Sequence, residues 1–220
     1  MTKSMLVLGG SHFLGRAIAE AALRDGWQVT VFNRGKSARD PEGVTSVRGD
    51  RTNIDDLARL AGLGPWTAIA DTSGMTLAAV EGATRILANS TTRYIYVSTV
   101  SVYAGWPLLP LREEDPTLAE EPPAVGMPAD VNVPYGQDKA RCEKVAAAAL
   151  EGRLTILRPG VILGPHEYVG RLPWWLRRVE RGGSILAPGQ PDQLIQPVDV
   201  RDVADFTCRR AEGSWSTARA

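Results

Sequence analysis

The chain has 220 residues, 44% of them hydrophobic and 23% charged, enough for one large domain with its own core and ordinary for a globular fold. Its 25 basic and 25 acidic side chains cancel, which argues against nucleic-acid and membrane-surface partners; no apolar run has the length of a membrane span or a leader peptide. The two cysteines, Cys142 and Cys208, fit no metal or redox spacing and read as buried thiols of a cytoplasmic protein.

Met5-Leu6-Val7-Leu8 is a short, unbroken apolar run, as expected of a strand buried on both faces. A glycine-rich turn, Gly9-Gly10-Ser11-His12-Phe13-Leu14-Gly15, follows at once. Leu14, Ala17, Ile18 and Ala21 then recur at helical spacing until Gly26. Such a turn needs glycine where the backbone bends sharply and where it approaches a pyrophosphate, and the helix start adds free N–H groups and a partial positive charge. Gly9, Ser11, His12, Phe13, Leu14 and Gly15 are therefore cofactor-binding candidates.

Gln28 to Phe32 reads as a second strand. Asn33-Arg34-Gly35-Lys36 follows it, near where an NAD site carries an acid for the ribose 2′-hydroxyl. The acid is absent. An amide followed by two cations suits a 2′-phosphate instead, so Asn33, Arg34 and Lys36 point to NADP(H), with NAD(H) as second choice. Val44 to Val47 makes a third short strand, Asn53 to Leu60 a helix, and Ala68 to Ala70 a fourth strand. Asp50, Arg51, Thr72 and Ser73 complete the cofactor candidates on this half of the chain. A helix from Leu77 to Asn89 leads to the strand Tyr94 to Val97, and Ser98 and Thr99 stand at its carboxyl end, where open parallel sheets bind ligands.

From Gly105 to Pro134 the composition changes, with six prolines before Pro134 and acids at Glu113 to Asp115, Glu120 and Glu121. This stretch reads as an irregular surface excursion. A long helix is expected from Tyr135 to Leu150. Tyr135 and Lys139, four apart, project from one face of it. A nearby ammonium favours the phenolate and is expected to lower the tyrosine pKa from its usual value of about 10, making it a usable proton donor or acceptor. With only four lysines and five tyrosines in the chain, chance would supply such a pair about 0.1 times. Leu154 to Leu157 is a further buried strand, Trp174 to Val179 a helix, and Val200 to Arg210 the last helix. Strands alternating with helices at this interval indicate an α/β protein with a doubly wound parallel sheet, a Rossmann fold.

The glycine turn, Gly49-Asp50, Ser98 to Tyr103, Tyr135-Gly136-Gln137-Asp138-Lys139, Arg158-Pro159-Gly160 and Val198-Asp199-Val200-Arg201-Asp202 together resemble the extended and atypical short-chain dehydrogenase/reductases, the NAD(P)-dependent epimerase/dehydratase group. The likeness runs from Met5 to about Arg210. It implies that Asp50 contacts adenine, that Thr99 is the catalytic hydroxyl with Ser98 beside it, and that Tyr135 is the general acid/base. It also implies that Lys139 tunes Tyr135 and holds the nicotinamide ribose, and that Pro159 and Gly160 lie against the nicotinamide. His12 stands where most members have the middle glycine, as in atypical members with a basic residue there. Val161-Ile162-Leu163 replaces the asparagine usual in sugar-nucleotide epimerases, which counts against a nucleotide-sugar substrate.

By the same resemblance residues 1–160 form the dinucleotide-binding core. Residues 161–220 are expected to be a shortened remnant of the substrate lobe packed on it, ending in Gly213 to Ala220, which resembles no family segment. Apolar surface around Trp174, Trp175 and Leu186 is then expected to be exposed or covered by a partner. The function expected is hydride transfer between NADP(H) and a small carbonyl or alcohol, in a protein that binds no nucleic acid and for which a homodimer is one assembly to test. A dinucleotide-binding sensor without turnover is the alternative.

Overall fold

The computed structural model describes residues 2–128, 131–187 and 195–213; the tail sequence after Gly213 lies outside the described residues. Six parallel strands form the central sheet: β1 (Ser4–Leu8), β2 (Gln28–Asn33), β3 (Thr45–Arg48), β4 (Ala68–Asp71), β5 (Tyr94–Val97) and β6 (Leu154–Leu157). Their spatial order is β3-β2-β1-β4-β5-β6. The order reverses between β1 and β4, and beyond the carboxyl ends of those strands lies the crevice in which doubly wound sheets take their ligands. The expected fold class is the one observed.

The unbroken apolar strands are explained by layers on both faces of the sheet. Met5 and Val7 of β1 face one layer, formed by α1 (Phe13–Arg24) and α6 (Val200–Glu212). Leu6 and Leu8 face the other, formed by α2 (Ile54–Ala61), α3 (Leu77–Leu87) and α4 (Val133–Ala149). Alternation along the strand thus feeds two cores, and each fully buried leucine or isoleucine contributes about 1.5–3 kcal/mol. Cys142 and Cys208 are both buried free thiols, one in each core.

Several boundaries differ from the sequence reading for local reasons. The long helix starts at Val133, because Pro134 in the first turn has no N–H to lose there and the Asn132 side chain accepts from Tyr135 N at 3.1 Å. The helix expected to reach Asn89 leaves α geometry after Leu87 and finishes as a 3-10 turn, Ala88–Ser90. Helix α5 spans Arg171–Glu180, longer than the periodic core of Trp174 to Val179 suggests. Two strands were not anticipated: β7 (Val161–Leu163) and β8 (Pro197–Asp199), three residues each, pair in parallel as a separate small sheet. They are too short to show a period. The excursion between Gly105 and Pro134 holds no strand or helix longer than a turn among its described residues before α4 begins.

Helix α6 supplies Val203, Ala204, Cys208 and Ala211 to the same core as α1. Helix α5 buries none of its residues, and Trp174, Leu176 and Leu186 are all exposed.

Candidate dinucleotide cavity and hydroxyl pair

The turn after β1 is shaped by two glycines that admit no side chain. Gly9 has φ +94°, and a Cβ on Gly15 would collide with the Gly9 carbonyl and the Thr72 hydroxyl. The turn is tied to the neighbouring strands, Gly9 N donating to Phe32 O at 3.0 Å and Thr72 N to Leu8 O at 3.1 Å. Helix α1 opens at His12 with no side-chain cap and no acid in its first turn. Its first N–H groups therefore have no intrahelical acceptor and no competing carboxylate, an arrangement that favours an anion. Above them lies a cavity of ≈ 660 Å³, within the range of cofactor sites.

Every cofactor candidate except Pro159 and Gly160 lines this cavity: Gly9, Ser11, His12, Phe13, Leu14 and Gly15 from the turn, Asn33, Arg34 and Lys36 after β2, Asp50 and Arg51 after β3, and Thr72 and Ser73 after β4. Their roles are not alike. The Asn33 amide donates to Asp40 Oδ1 at 2.9 Å, while its oxygen accepts from Gly35 N at 2.8 Å and from Arg48 at 2.6 Å. Asn33 thus shapes the loop instead of offering a free amide. Burial works against the Asp40 carboxylate, but Ser46, Asn33 and Arg48 outweigh it and hold its pKa below the usual range. Arg34 and Lys36 are exposed at the cavity rim. Asp50 accepts from the backbone and hydroxyl of Thr52 at 2.9 and 2.7 Å, and these bonds, helped by Arg34 and Lys36, depress its pKa.

Arg51 is a strut. Its Nη1 donates to Asp71 Oδ1 at 2.6 Å and to Ser73 Oγ at 2.8 Å, and its Nη2 to Asp71 Oδ2 at 2.9 Å and to Ala79 O at 3.1 Å. Asp71 is fully buried at the end of β4 and also accepts from Tyr94 Oη at 2.9 Å and Ser73 N at 3.1 Å. Burial alone would raise its pKa; Arg51 and these donors reverse that. The pair locks the loops after β3 and β4 together, and removing one partner of a buried pair of this kind costs about 3–5 kcal/mol. Asp71 escaped the sequence reading, although an acid closing the apolar run Ala68-Ile69-Ala70 was its visible signal.

Thr99 and Tyr135 meet from different elements. Thr99 follows β5 and caps a 3-10 turn, Val100–Val102, its Oγ1 accepting from Ser101 N at 3.2 Å. Tyr135 stands in the first turn of α4, which comes close because Gly136 has no Cβ to strike the Ser101 carbonyl. The Thr99 hydroxyl lies close enough to the Tyr135 phenol to favour its ionised form. Ser98 Oγ is buried without a partner among the described residues. Pro159 O accepts from Val100 N at 3.0 Å, and Gly160 is required for the close approach of Gln196 O. Pro159 thus braces the segment carrying Thr99, Gly160 packs against Gln196, and neither lines this cavity.

The expected lowering of the Tyr135 pKa by Lys139 is not what the structure shows. Burial raises it, the Thr99 hydroxyl only partly opposes this, and Tyr168 adds to the rise. The reason is where the ammonium lies. Lys139 Nζ donates to Gly74 O at 2.9 Å, Tyr96 Oη at 2.6 Å and Val97 O at 2.8 Å, and sits 4.2 Å from the Tyr96 ring centroid. All three of its N–H donors are engaged beneath the sheet end. Burial lowers its own pKa to about 8, against the opposing pull of Asp71, Cys142 and Glu143. Tyr96 and Gly74 are thus partners of Lys139 that spacing could not reveal.

The sequence matches the model of the NAD dependent epimerase/dehydratase family over residues 5–213. The chain belongs to this family. Its curated relatives include the chloroplast stem-loop binding protein of 41 kDa b of Arabidopsis thaliana, 28% identical over 92% of this chain and 53% of that protein. A 2-alkyl-3-oxoalkanoate reductase of Shewanella oneidensis is 26% identical over 90% of this chain and 54% of that protein. The chain therefore spans about half the length of the curated relatives it matches. Among solved structures, the Bordetella bronchiseptica enzyme WbmH, in complex with NAD+, superimposes with a TM-score of 0.75 at 20% identity, covering 97% of this chain and 73% of that one. UDP-glucose 4-epimerase of Thermotoga maritima, with UDP-glucose, gives 0.73 at 16%, covering 91% and 71%. These likenesses are of fold.

Proposed function

We propose that the chain is an NADP(H)-dependent oxidoreductase of the short-chain dehydrogenase type, acting on a small carbonyl or alcohol. The observation that carries the reading is the approach of the Tyr135 phenol to the Thr99 hydroxyl in a family member that also has a cavity floored by a side-chain-free glycine cradle. The cradle fits a dinucleotide: the collision awaiting a Cβ at Gly15 and the uncapped start of α1 leave room and N–H donors for a pyrophosphate. Arg34 and Lys36 at the rim favour a 2′-phosphate over a bare ribose.

A bound nicotinamide supplies the hydride donor or acceptor. The chain supplies the proton and the orientation. Burial keeps Tyr135 protonated at neutral pH, which suits it to donate a proton to the oxygen of a carbonyl undergoing reduction. Thr99 holds the same oxygen by its hydroxyl. Lys139 acts at one remove, fixing the ends of β5 and the loop after β4 through Val97 O and Gly74 O. The name of the Shewanella relative makes 3-oxoacids the first carbonyls to try.

The test is NADPH oxidation at 340 nm across a panel of small carbonyls, with Tyr135→Phe in parallel. Turnover should fall by about 100-fold or more in the variant, with NADPH affinity held within about twofold. Equal turnover in the two proteins would overturn the assignment.

A further inference from the structure

We propose that Tyr168 is a positioning residue for the nicotinamide half of the dinucleotide, its ring forming the wall that joins the phosphate turn to the hydroxyl of Tyr135. The inference rests on the dinucleotide reading given above. Tyr168 belongs to the loop between β7 and α5, far in sequence from both features. Its ring centroid lies 4.8 Å from that of His12, tilted at 44°, and 6.4 Å from that of Phe13, nearly edge-on at 84°. It lines the same cavity as the glycine turn. It is also close enough to Tyr135 to influence that hydroxyl electrostatically.

Burial does not explain why this tyrosine is held there, because it remains 70% exposed. The loop is nevertheless fixed. The Glu167 side chain is only 1% exposed; its carboxylate accepts from Arg171 N at 3.2 Å and pairs with the Arg171 guanidinium at 3.7 Å, while Glu167 N donates to Gly164 O at 3.3 Å. Gly164, His166 and Gly170 all have positive φ, at +139°, +64° and +76°. For His166, which has a Cβ, that is a strained conformation. A clipped, strained loop that presents a large aromatic ring to a cavity is accounted for when the ring's open face receives a ligand. A flat aromatic amide, cationic when oxidised, is a matching partner for an electron-rich phenol ring.

The experiment is calorimetric titration of the wild-type chain, Tyr168→Ala and Tyr168→Phe with NADP+ and, separately, with adenosine 2′,5′-bisphosphate, which has the 2′-phosphate but no nicotinamide. Thermal melts first establish that the variants are folded. Tyr168→Ala should weaken NADP+ by about tenfold and leave the bisphosphate within about twofold, while Tyr168→Phe, which keeps the ring, stays near wild type. Unchanged NADP+ affinity in Tyr168→Ala, or equal loss of both ligands, would overturn the role of Tyr168 and leave the dinucleotide reading standing. A wild-type chain that binds neither ligand would overturn both.

Discussion

Two side chains that stand four apart on one helix do different work because they point into different surroundings. Tyr135 meets Thr99, and Lys139 turns under the sheet to meet Gly74, Tyr96 and Val97. Burial lowers the Lys139 pKa from 10.5 to about 8. Since the folded value lies below the unfolded one, the unfolded chain binds more protons between about pH 8 and 10.5, and Lys139 makes stability rise with pH across that window. The gain is of order 3 kcal/mol. Urea unfolding of wild type and Lys139→Met over this range should show the difference between the two climbing with pH in favour of wild type. A flat difference would show that Lys139 is not desolvated as described. The Tyr135-to-Lys139 spacing was legible in the sequence. The lysine's partners were not, because Gly74, Tyr96 and Val97 reach it only through the pairing of β4 with β5.

Among the elements, the long-range reading succeeded where periodicity was strong and failed where elements were short. The apolar run of β1 and the helical spacing of α1 identified themselves, and the glycines between them located the cavity. β7 and β8, three residues each, carry too little pattern to detect, and the excursion after Tyr103 is held by contacts such as Arg158 Nη1 donating to Glu113 O at 3.3 Å and Leu118 N donating to Val102 O at 2.7 Å. Asn33 and Arg51 line the cavity, yet their side chains serve the loops, because hydrogen-bond partners such as Asp40 and Asp71 are set by tertiary structure. The two C-terminal helices make the contrast measurable. Ala204 of α6 is buried against α1, whereas Leu176 of α5 is 61% exposed. Ala204→Leu should cost about 1–3 kcal/mol by overpacking, and Leu176→Ser less than about 0.5 kcal/mol, in chemical denaturation of each variant. A larger loss from Leu176→Ser would mean that α5 is covered in solution.

At the level of the whole molecule, the strand order places one crevice at the reversal between β1 and β4, and each feature argued above converges on it. The turn after β1 forms its floor, the loops after β3 and β4 are locked by Arg51 and Asp71, and Tyr168 lines it from the loop after β7. The doubly wound sheet and the glycine turn were readable from sequence because they depend on local pattern. Substrate choice was not, because it depends on surfaces that segments distant in sequence build together. Whether this crevice holds NADP(H) is decided by calorimetric titration of the chain with NADPH and with NADH. NADPH should bind about tenfold more tightly, through charge-assisted contacts of the 2′-phosphate with Arg34 and Lys36, and replacing both cations by alanine should erase the difference. Tighter binding of NADH, or binding of neither nucleotide, would rule out NADP(H) as the occupant of the crevice.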